Sequence, residues 1–483
     1  MYPKPCWNLR SFPKGERNCY NIKVKPDTKY LIRATFVYGN YDGLNAVPSF
    51  DLYLGPNMWT RVVHANDTNK EVIHVTAGSQ SLLQICLVNT RTGTPFINVL
   101  ELRPLDPKAY GNPSGSLKNL FRWYLGPSEV PKIRYPDDVY DRLWYPRKFP
   151  EKLWMPVATH LRVNTNNMYN PPEIVMMTAA TLLNANATTL DVDWILEPPT
   201  AQCYPYTYFS ELQTLGENDT REFSVFLNGA LVYGPLTPEP LRANTVFIAL
   251  PKQCTDGKCV LQITKTSRST LPPVLSAVEV YTVMDNPQLG TNGSDVTGIT
   301  DVQRTYDLTR LSWQGDPCVP KQFLWEGLTC NHSDNSTPPT IISLDLSSSG
   351  LSGVIPEVIQ KLPHLQQLDL SNNSLGGAVP EFLANMNSLL LIVEGNPLVI
   401  CTIGSCVDKN GKGDRTKDVV VPVTIAVVVA SLALIICALL LFFHFRRKRS
   451  PGVVELEGPP PSNMQDPDDA LFFPIHSESE ISL

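Results

Sequence analysis

The sequence predicts a mainly β chain: two related β-sandwich modules, the first of them incomplete, then a short solenoid, one transmembrane helix and a disordered tail. Three observations predict it. Stretches that alternate apolar and polar residues recur 178 residues apart, a leucine pattern recurs after 24 residues, and one run of 25 residues carries no charge. With 483 residues, the chain is long enough for several domains.

The two β-sandwich modules are predicted from an internal repeat. "LQICLVNTRTGTPFINVLELR", which begins at Leu83, resembles "LQITKTSRSTLPPVLSAVEVY", which begins at Leu261, and "FDLYLG" at Phe50 resembles "FSVFLN" at Phe223. Period-two alternation that is rich in aromatic and β-branched residues is typical of strands. A repeated set of such strands indicates two modules with one fold.

The front of the first module is expected to be missing. The second module opens near Ile133, and the repeat offset places the matching start of the first module before Met1. The opening residues "MYPKPCWNLR" also lack the apolar region of a signal peptide. We therefore expect a longer natural N-terminus.

The solenoid is predicted from "ISLDLSSSGLSGVIPEVIQKLPHL", which is followed directly by "QQLDLSNNSLGGAVPEFLANMNSL". Their shared L-x-L-x-x-N-x-L-x-G-x-x-P pattern is that of leucine-rich repeats, in which each coil contributes one strand. Asn373 stands where an amide hydrogen-bonds between coils. Ser349 fills that position more weakly in the coil before, and Asn396 marks a partial third coil.

The ends of a solenoid need caps, because a terminal coil cannot bury its own leucines. "LSWQGDPCVPKQFLWEGLTC" lies before the first coil and joins Trp313, Trp325 and a Gly-Asp-Pro turn to two cysteines. We interpret it as an N-terminal cap in which a disulfide loop holds Trp rings over exposed leucines. A cysteine pair after the last coil predicts a small C-terminal clip. The cap disulfide candidates are Cys318, Cys330, Cys401 and Cys406.

Metal, cofactor and nucleic-acid binding are not predicted. A zinc site would need Cys-x-x-Cys pairs or several histidines, and only His332 is close to the cap cysteines. The net charge is −6, and lysines and arginines are scattered through most of the chain, which argues against a nucleic-acid partner.

The uncharged run 419–443 is long enough to span a bilayer as a helix. The basic run 446–449 follows it, which places that end in the cytoplasm by the positive-inside rule. Ten of the eleven cysteines and all seven N-glycosylation sequons precede the run, as expected for the ectodomain of a plasma-membrane protein. The glycosylation candidates are Asn66, Asn186, Asn218, Asn292, Asn331, Asn335 and Asn372.

The motif "YPDDVYDR" has two interpretations. Paired acids can hydrolyse a glycoside, and Asp137, Asp138 and Asp141 lie close together in the sequence. The other interpretation, which we favour, is that these carboxylates form a turn, are solvated or pair with arginine, since Arg134 and Arg142 are close by. The seven histidines form no recognisable motif with serine or cysteine, so no catalytic residue is predicted.

A candidate ligand-binding loop is "VYGNYDG", which carries Tyr38, Tyr41 and Asp42 where a predicted strand ends. Aromatic rings can stack on sugar faces while a carboxylate bonds hydroxyl groups. The other interpretation, which we favour, is a tyrosine pair that packs the loop.

Together the motifs resemble one known family. "LRSFPKGERNCYNI", "FDLYLGPNMW", "RYPDDVYDRLW" and "KTSRSTLPPVLSAVEVY" are similar to the malectin-like ectodomain of plant leucine-rich-repeat receptor-like kinases. "WQGDPCVP" and the short repeat block are similar to the rest of that ectodomain. The resemblance runs from Leu9 to Cys406. It implies tandem malectin-like β-sandwich modules, one span, and recognition of an extracellular peptide, glycan or co-receptor ectodomain.

The kinase of that family has no counterpart in the sequence. Residues 445–483 carry no glycine-rich phosphate loop, V-A-I-K lysine, H-R-D or D-F-G motif, and the tail is acidic and proline-rich. The leading hypothesis is a single-pass receptor-like protein without catalytic activity that associates with a full-length receptor kinase. The alternatives are a fragmentary gene model of a complete receptor serine/threonine kinase and a cell-wall carbohydrate-binding membrane protein.

The predicted organisation follows from these motifs. The segments are 1–105 (first module), 106–131 (inter-module linker), 132–283 (second module), 284–312 (linker), 313–338 (N-terminal cap), 339–398 (leucine-rich repeats), 399–418 (C-terminal clip and juxtamembrane segment), 419–444 (transmembrane helix) and 445–483 (cytoplasmic tail).

Overall fold

The computed structural model describes most of the chain up to Ile400. The described residues are 4–63, 68–76, 82–111, 115–126, 132–147, 153–184, 186–285, 288–332, 337–386 and 389–400. Among them, no helix is both long enough and apolar enough to cross a membrane. Several predictions lie outside the described residues: the span 419–444, the tail 445–483, Cys401, Cys406, Asn66 and Asn335.

Nine strands build the first β-sandwich. They are β1 (Arg10–Ser11), β2 (Arg17–Lys23), β3 (Lys29–Phe36), β4 (Phe50–Leu54), β5 (Asn57–Val62), β6 (Thr68–Val75), β7 (Leu82–Asn89), β8 (Phe96–Ile97) and β9 (Val99–Pro104). One sheet has the order β2-β7-β4-β5 and faces β6, β3 and β9 of another. Ile32 and Phe36 pack between the two sheets against Leu52 and Ile85.

Thirteen strands and one short helix build the second β-sandwich. They are β10 (Ser116–Tyr124), β11 (Tyr145–Pro146), β12 (Trp154–Ala158), α1 (Glu173–Met176), β13 (Thr178–Leu182), β14 (Thr189–Ile195), β15 (Gln202–Phe209), β16 (Phe223–Leu227), β17 (Ala230–Leu236), β18 (Asn244–Phe247), β19 (Lys252–Gln253), β20 (Lys258–Lys265), β21 (Val274–Leu275) and β22 (Ala277–Met284). One sheet, β14-β20-β16-β17, buries Val192, Val225 and Ile263 against the strands around β22.

The structure confirms the internal repeat. In the first sandwich β7 pairs with β4, and β4 pairs with β5. In the second sandwich the matching strands β20, β16 and β17 pair in the same order. Leu83 and Leu261, which begin the repeated sequences, are both buried on equivalent strands. The similar alternation of apolar and polar residues in the two repeats therefore gives two antiparallel sheets with the same strand pairing.

A single nine-stranded sheet runs through both sandwiches. Its order is β18-β15-β22-β10-β6-β3-β9, with β11 and β19 attached at its sides. Strand β10 makes the connection, because it pairs with β22 along its length and with β6 through Leu117 and Lys118. The sequence predicted 106–131 as a linker, and that prediction is wrong for 116–124. Within this segment, Arg122 pairs with Glu71 and Glu279, and the Ser116 hydroxyl lies within hydrogen-bond distance of His74, all from elsewhere in the chain.

The solenoid stacks on a helix and a cap. Its elements are α2 (Gly293–Thr305), β23 (Leu328–Asn331), β24 (Thr340–Asp345), β25 (Ser352–Val354), β26 (Gln367–Asp369), β27 (Ser374–Ala378), α3 (Glu381–Asn385), β28 (Leu390–Ile392) and β29 (Leu398–Ile400). Three single-turn 3₁₀ helices occupy Lys4–Trp7, Lys321–Phe323 and Glu357–Lys361. Strands β24, β26 and β28 are parallel, and β23 joins them antiparallel.

The asparagine positions connect neighbouring coils, as predicted. The Asn373 side chain accepts from the N–H groups of Ser349 and Leu351 and donates to the carbonyl of Leu346 at 2.9 Å. Asn396 accepts from the N–H of Leu375 in the same way. These buried amides satisfy backbone groups that turn inward at each bend, where an unpaired group would be costly.

Helix α2 occupies part of 284–312, which the sequence predicted as a linker. Its buried side, formed by Ile299 and Val302, belongs to the solenoid core. Gly298 lets the helix lie close to that core, because a Cβ there would sit 3.0 Å from Leu362 Cδ2. Its many Gly, Thr and Asp residues concealed the helix in the sequence, and packing rather than propensity explains its formation.

A buried ionic network lies on the face of the long sheet that the segment 132–144 covers. The Arg122 guanidinium bonds Glu279 at 2.8 Å and Glu71 at 2.9 Å, and all three side chains are almost fully buried. Glu71 also faces Arg33 of β3 at 3.4 Å. Burial alone would raise the pKa of Glu279, but the charges of Arg122 and Arg142 hold it below its usual value.

We expect Arg122→Met to reduce the free energy of unfolding by on the order of 3–5 kcal/mol, because it leaves two buried carboxylates without their shared cation. Urea denaturation followed by tryptophan fluorescence would measure the loss. Arg162→Met is the matched control, since Arg162 pairs with Glu173 on the surface and should change stability little. Equal stability of the two variants would contradict the structural role of the network.

We expect stability to fall as the pH drops from about 6.5 to 4, in part because of His74. Burial lowers the pKa of His74 to about 4, while Nδ1 lies 2.8 Å from Ser116 Oγ. As the pH falls, the histidine of the unfolded chain is therefore protonated before His74 of the folded chain. The contribution of neutral His74 to stability is fully present above the unfolded pKa and is lost as the pH falls towards the folded pKa. His74→Gln should remove on the order of 2 kcal/mol of the pH dependence, measured by urea denaturation at pH 7 and pH 4.5. An unchanged pH profile would show that His74 does not contribute.

Candidate ligand-binding surfaces

The carboxylates of "YPDDVYDR" are held in ion pairs. Asp141 bonds the guanidinium of Arg134 at 2.7 Å and that of Arg33 at 2.6 Å. Asp138 bonds Arg142 Nε at 2.8 Å, and both are fully buried. Burial would raise the pKa of Asp141, yet the hydrogen bond from Arg134 and the charge of Arg33 lower it. Of the three forms of the favoured interpretation, pairing with arginine is the one that the structure shows for these two residues. Asp137 is exposed.

The predicted loop places its two tyrosines together. The Tyr38 hydroxyl donates to Asp42 Oδ1 at 2.6 Å, and the rings of Tyr38 and Tyr41 meet edge to face, with 5.7 Å between centroids. Both rings also contact Phe96 of the first core. Burial raises the pKa of Tyr41 to about 12, although 38% of its surface stays exposed. These contacts pack the loop against the first core, and the Tyr41 ring remains partly exposed.

A surface pocket lies on the second sandwich, beside the start of β14. Its volume is about 450 Å³. The residues that line it are Trp123, Leu125, Arg147, Leu153, Trp154, Leu182, Leu183, Asn184, Ala187, Thr189, Asp191, Val192, Asp193 and Val278. Such a mixture of apolar walls and a few charged groups is typical of ligand pockets in this size range.

Trp123, one of the two tryptophans that line this pocket, is not a free stacking platform. Phe121 stacks on Trp123 with 3.6 Å between ring centroids, and the Arg147 guanidinium lies 4.2 Å from the same ring. Two groups this close cannot share one face, so they cover opposite faces of Trp123. A sugar would therefore find no open indole face there. Of the other tryptophans nearby, Trp154 and Trp194 are buried.

The first sandwich contacts the cap through Arg17. Its Nη2 donates to the carbonyls of Asp316 and Phe323, each at 2.9 Å, and its guanidinium lies over the Phe323 ring. Burial lowers the pKa of Arg17 to about 10. Gly315 comes so close that a Cβ would sit 2.8 Å from Cys19 Sγ, and its φ of +68° also favours glycine. Cys19 is bonded to Cys86.

The Gly-Asp-Pro turn is anchored from inside. Asp316 is buried and accepts from the N–H and hydroxyl groups of Thr291 and from the N–H groups of Cys318 and Val319. Burial raises its pKa despite these bonds. Cys318 and Cys330 form a disulfide, while the Trp313 and Trp325 rings stack at 4.9 Å. Both rings belong to the solenoid core.

Comparison with family models matches residues 1–283 to the malectin-like domain and residues 339–398 to leucine-rich repeats. The chain is 53% identical over its whole length to an Arabidopsis thaliana "Probable LRR receptor-like serine/threonine-protein kinase". This chain belongs to the plant malectin-like, leucine-rich-repeat receptor-like kinase family. It is also 50% identical, over 94% of its length, to an A. thaliana "Receptor-like protein kinase".

The malectin-like chain spans about half the length of these curated relatives: 56% of the first and 53% of the second. Among solved structures, the plant receptor-like kinase ANX2 is similar with a TM-score of 0.50 and 18% identity. That match covers 59% of this chain and 84% of the other. At this identity the likeness shows a shared ectodomain fold.

Four of the five described sequons of the malectin-like chain have an exposed asparagine. Asn186, Asn218, Asn331 and Asn372 are exposed, whereas Asn292 is half-buried. The Asn292 side chain accepts from the Ser294 N–H and so caps the N-terminus of α2.

Sequence reasoning missed two features of the malectin-like ectodomain. The residues that line the pocket beside β14 come from segments far apart in the chain, so no sequence motif predicted the pocket. Arg17 donates to backbone carbonyls. Every residue has a backbone carbonyl, so the sequence does not show which residues accept these hydrogen bonds. The acidic pattern "TLDVDW", with alternating aspartates on a strand, was a usable signal for the exposed carboxylates of the pocket.

We expect Arg17→Met to loosen the cap from the first sandwich, because it removes charged hydrogen bonds worth roughly 1.5–3 kcal/mol each. Hydrogen exchange should speed up across 313–323 while β26 and β28 keep their protection. Arg10→Met, which removes an exposed arginine from the same sandwich, serves as the control. Unchanged exchange at the cap would mean that Arg17 does not hold this contact.

Proposed function

We propose that the chain is a single-pass plasma-membrane receptor-like protein whose ectodomain binds an extracellular peptide or the ectodomain of a co-receptor. It would act without catalytic activity of its own and signal through an associated full-length receptor kinase. The single observation that carries the proposal is the pocket beside β14, which combines apolar walls, two aspartates and one arginine at the surface. Because Phe121 and Arg147 cover both faces of Trp123, this lining offers apolar walls and charges to a peptide or protein surface but no open Trp123 face to a sugar ring.

Membership of the receptor-like kinase family supports this proposal. The sequence adds the uncharged run 419–443, the basic residues that follow it and the sequons on one side of it. The ion pairs of Asp138 and Asp141 support a structural role for the carboxylates that had suggested hydrolysis. Because the relatives are about twice as long, a complete receptor serine/threonine kinase of which this is one part remains the alternative proposal.

Binding of cell-wall carbohydrate is the second candidate function. Tyr41 favours it, since its ring is partly exposed beside the carboxylate of Asp42. A glycan array probed with wild-type protein and with Tyr41→Ala would test it. Binding that disappears in the variant would support a sugar site at this loop. Equal binding by both would remove the loop from consideration.

We expect co-expression of the full chain with a full-length relative to change the phosphorylation of that kinase, because the two ectodomains would share ligands or an interface. Phosphorylation would be measured in plant cells across a range of expression ratios. Arg162→Met provides a control that should behave like the wild type. Phosphorylation that is the same at every ratio, with no co-precipitation of the two proteins, would contradict an associating receptor.

A further inference from the structure

The strand β14 ends its sheet on one side. The order of that sheet is β14-β20-β16-β17, and in the part of the chain that the structure describes, β20 is the strand bonded to β14. The pocket lies at this edge, because Thr189, Asp191, Val192 and Asp193 of β14 all line it. An edge strand offers a row of backbone donors and acceptors to another extended chain.

The register shows which residues of β14 present those groups. The Lys265 N–H donates to the carbonyl of Thr188, and the Leu196 N–H donates to the carbonyl of Gly257, each at 2.8 Å. Both bonds involve even-numbered residues of this extended segment. Because backbone groups alternate between the two edges of an antiparallel strand, the odd-numbered residues direct theirs away from β20. Asp191 is in the middle of that open row.

The same odd-numbered residues carry the charge. Asp191 and Asp193 are exposed on one face of β14, while Leu190 and Val192 are buried on the other. Neither aspartate forms an ion pair with a described residue, and burial together with the charge of Asp193 raises the pKa of Asp191. Their mutual repulsion would be relieved by a cation.

The rest of the lining suits the apolar part of a ligand. Leu125, Leu182 and Val278 supply apolar wall, and Leu153 and Leu183 extend it with exposed fractions of 62% and 56%. Arg147 is the one cation among the lining residues, and its guanidinium is stacked on Trp123. A ligand that alternates cationic and apolar side chains would match both the carboxylates and the walls.

We propose that the open edge of β14 and the pocket beside it bind an extended peptide segment in which Lys or Arg alternates with apolar residues. The peptide would add as a further strand through backbone hydrogen bonds. Its cations would face Asp191 and Asp193 across the new strand pair, since opposite residues share a face at about 5 Å. This inference rests on the proposed function and names the ligand class of its pocket.

The test uses the full chain from a secretory expression host and a fluorescent hexapeptide that alternates Lys and Val. Two control peptides are an alternating Glu and Val hexapeptide and a block sequence of three Lys then three Val. Fluorescence anisotropy should show binding of the alternating Lys peptide alone. The double variant Asp191→Asn with Asp193→Asn should weaken binding at least tenfold, whereas Asp137→Asn, at an exposed aspartate away from the pocket, should leave it unchanged.

Backbone pairing is tested with two N-methylated forms of the same peptide, one methylated at every Lys and one at every Val. Only one residue class points its N–H groups at β14, so one form should lose binding and the other should keep it. Equal binding by both forms would overturn the added strand. Equal binding of the block or Glu peptide, or no effect of the double variant, would overturn the site.

A glycan attached to Asn186 would be the competing occupant, because this sequon lies next to the lining residue Ala187. The peptide titration is therefore repeated with Asn186→Gln. Binding that appears only in this variant would assign the surface to the protein's own glycan and overturn the proposal. If the alternating Lys peptide does not bind but the chain still changes the phosphorylation of the co-expressed kinase, this inference is rejected and the proposed function is not.

Discussion

The guanidinium of Arg122 forms the interaction on which the arrangement of the two sandwiches depends. It joins Glu71, from a strand of the first sandwich, to Glu279, from a strand of the second. Arg122 itself belongs to β10, the strand that makes two sheets into one. A buried cation costs much free energy unless its partners are complete, so the two sandwiches must keep one arrangement for the network to remain satisfied.

That constraint explains why the long sheet has two different faces. On β3, Ile32 and Ala34 face the first core, while Arg33 faces the segment that carries Asp141. The alternation of a strand thus separates an apolar layer from a polar layer. The polar layer specifies position, because hydrogen bonds and ion pairs are directional, whereas the burial of apolar surface in the other layer is non-directional.

The sandwiches and the solenoid were predictable from the sequence because their signals are local. Alternation predicted β7 and β20, and the leucine period predicted the coils and Asn373. Strand β10 was missed because "SLKNLFRWY" carries charges whose partners come from distant segments. Helix α2 was missed because "GSDVTGITDVQRT" is a weak helix former that the solenoid stabilises. The contact between Tyr38 and Tyr41 could be predicted from their spacing in one loop, and their role as a binding site stays a prediction. The pocket could not be predicted, because it exists only where several segments meet.

The contact between Gly315 and the Cys19–Cys86 bridge has a mechanical consequence. The sandwiches and the solenoid are connected twice, once along the chain through α2 and once where the cap presses against the bridge. A body held at one point can rotate about any axis, whereas a second attachment leaves only rotation about the line that joins the two points. A torque exerted on the sandwiches about any other axis would therefore be transmitted to the solenoid.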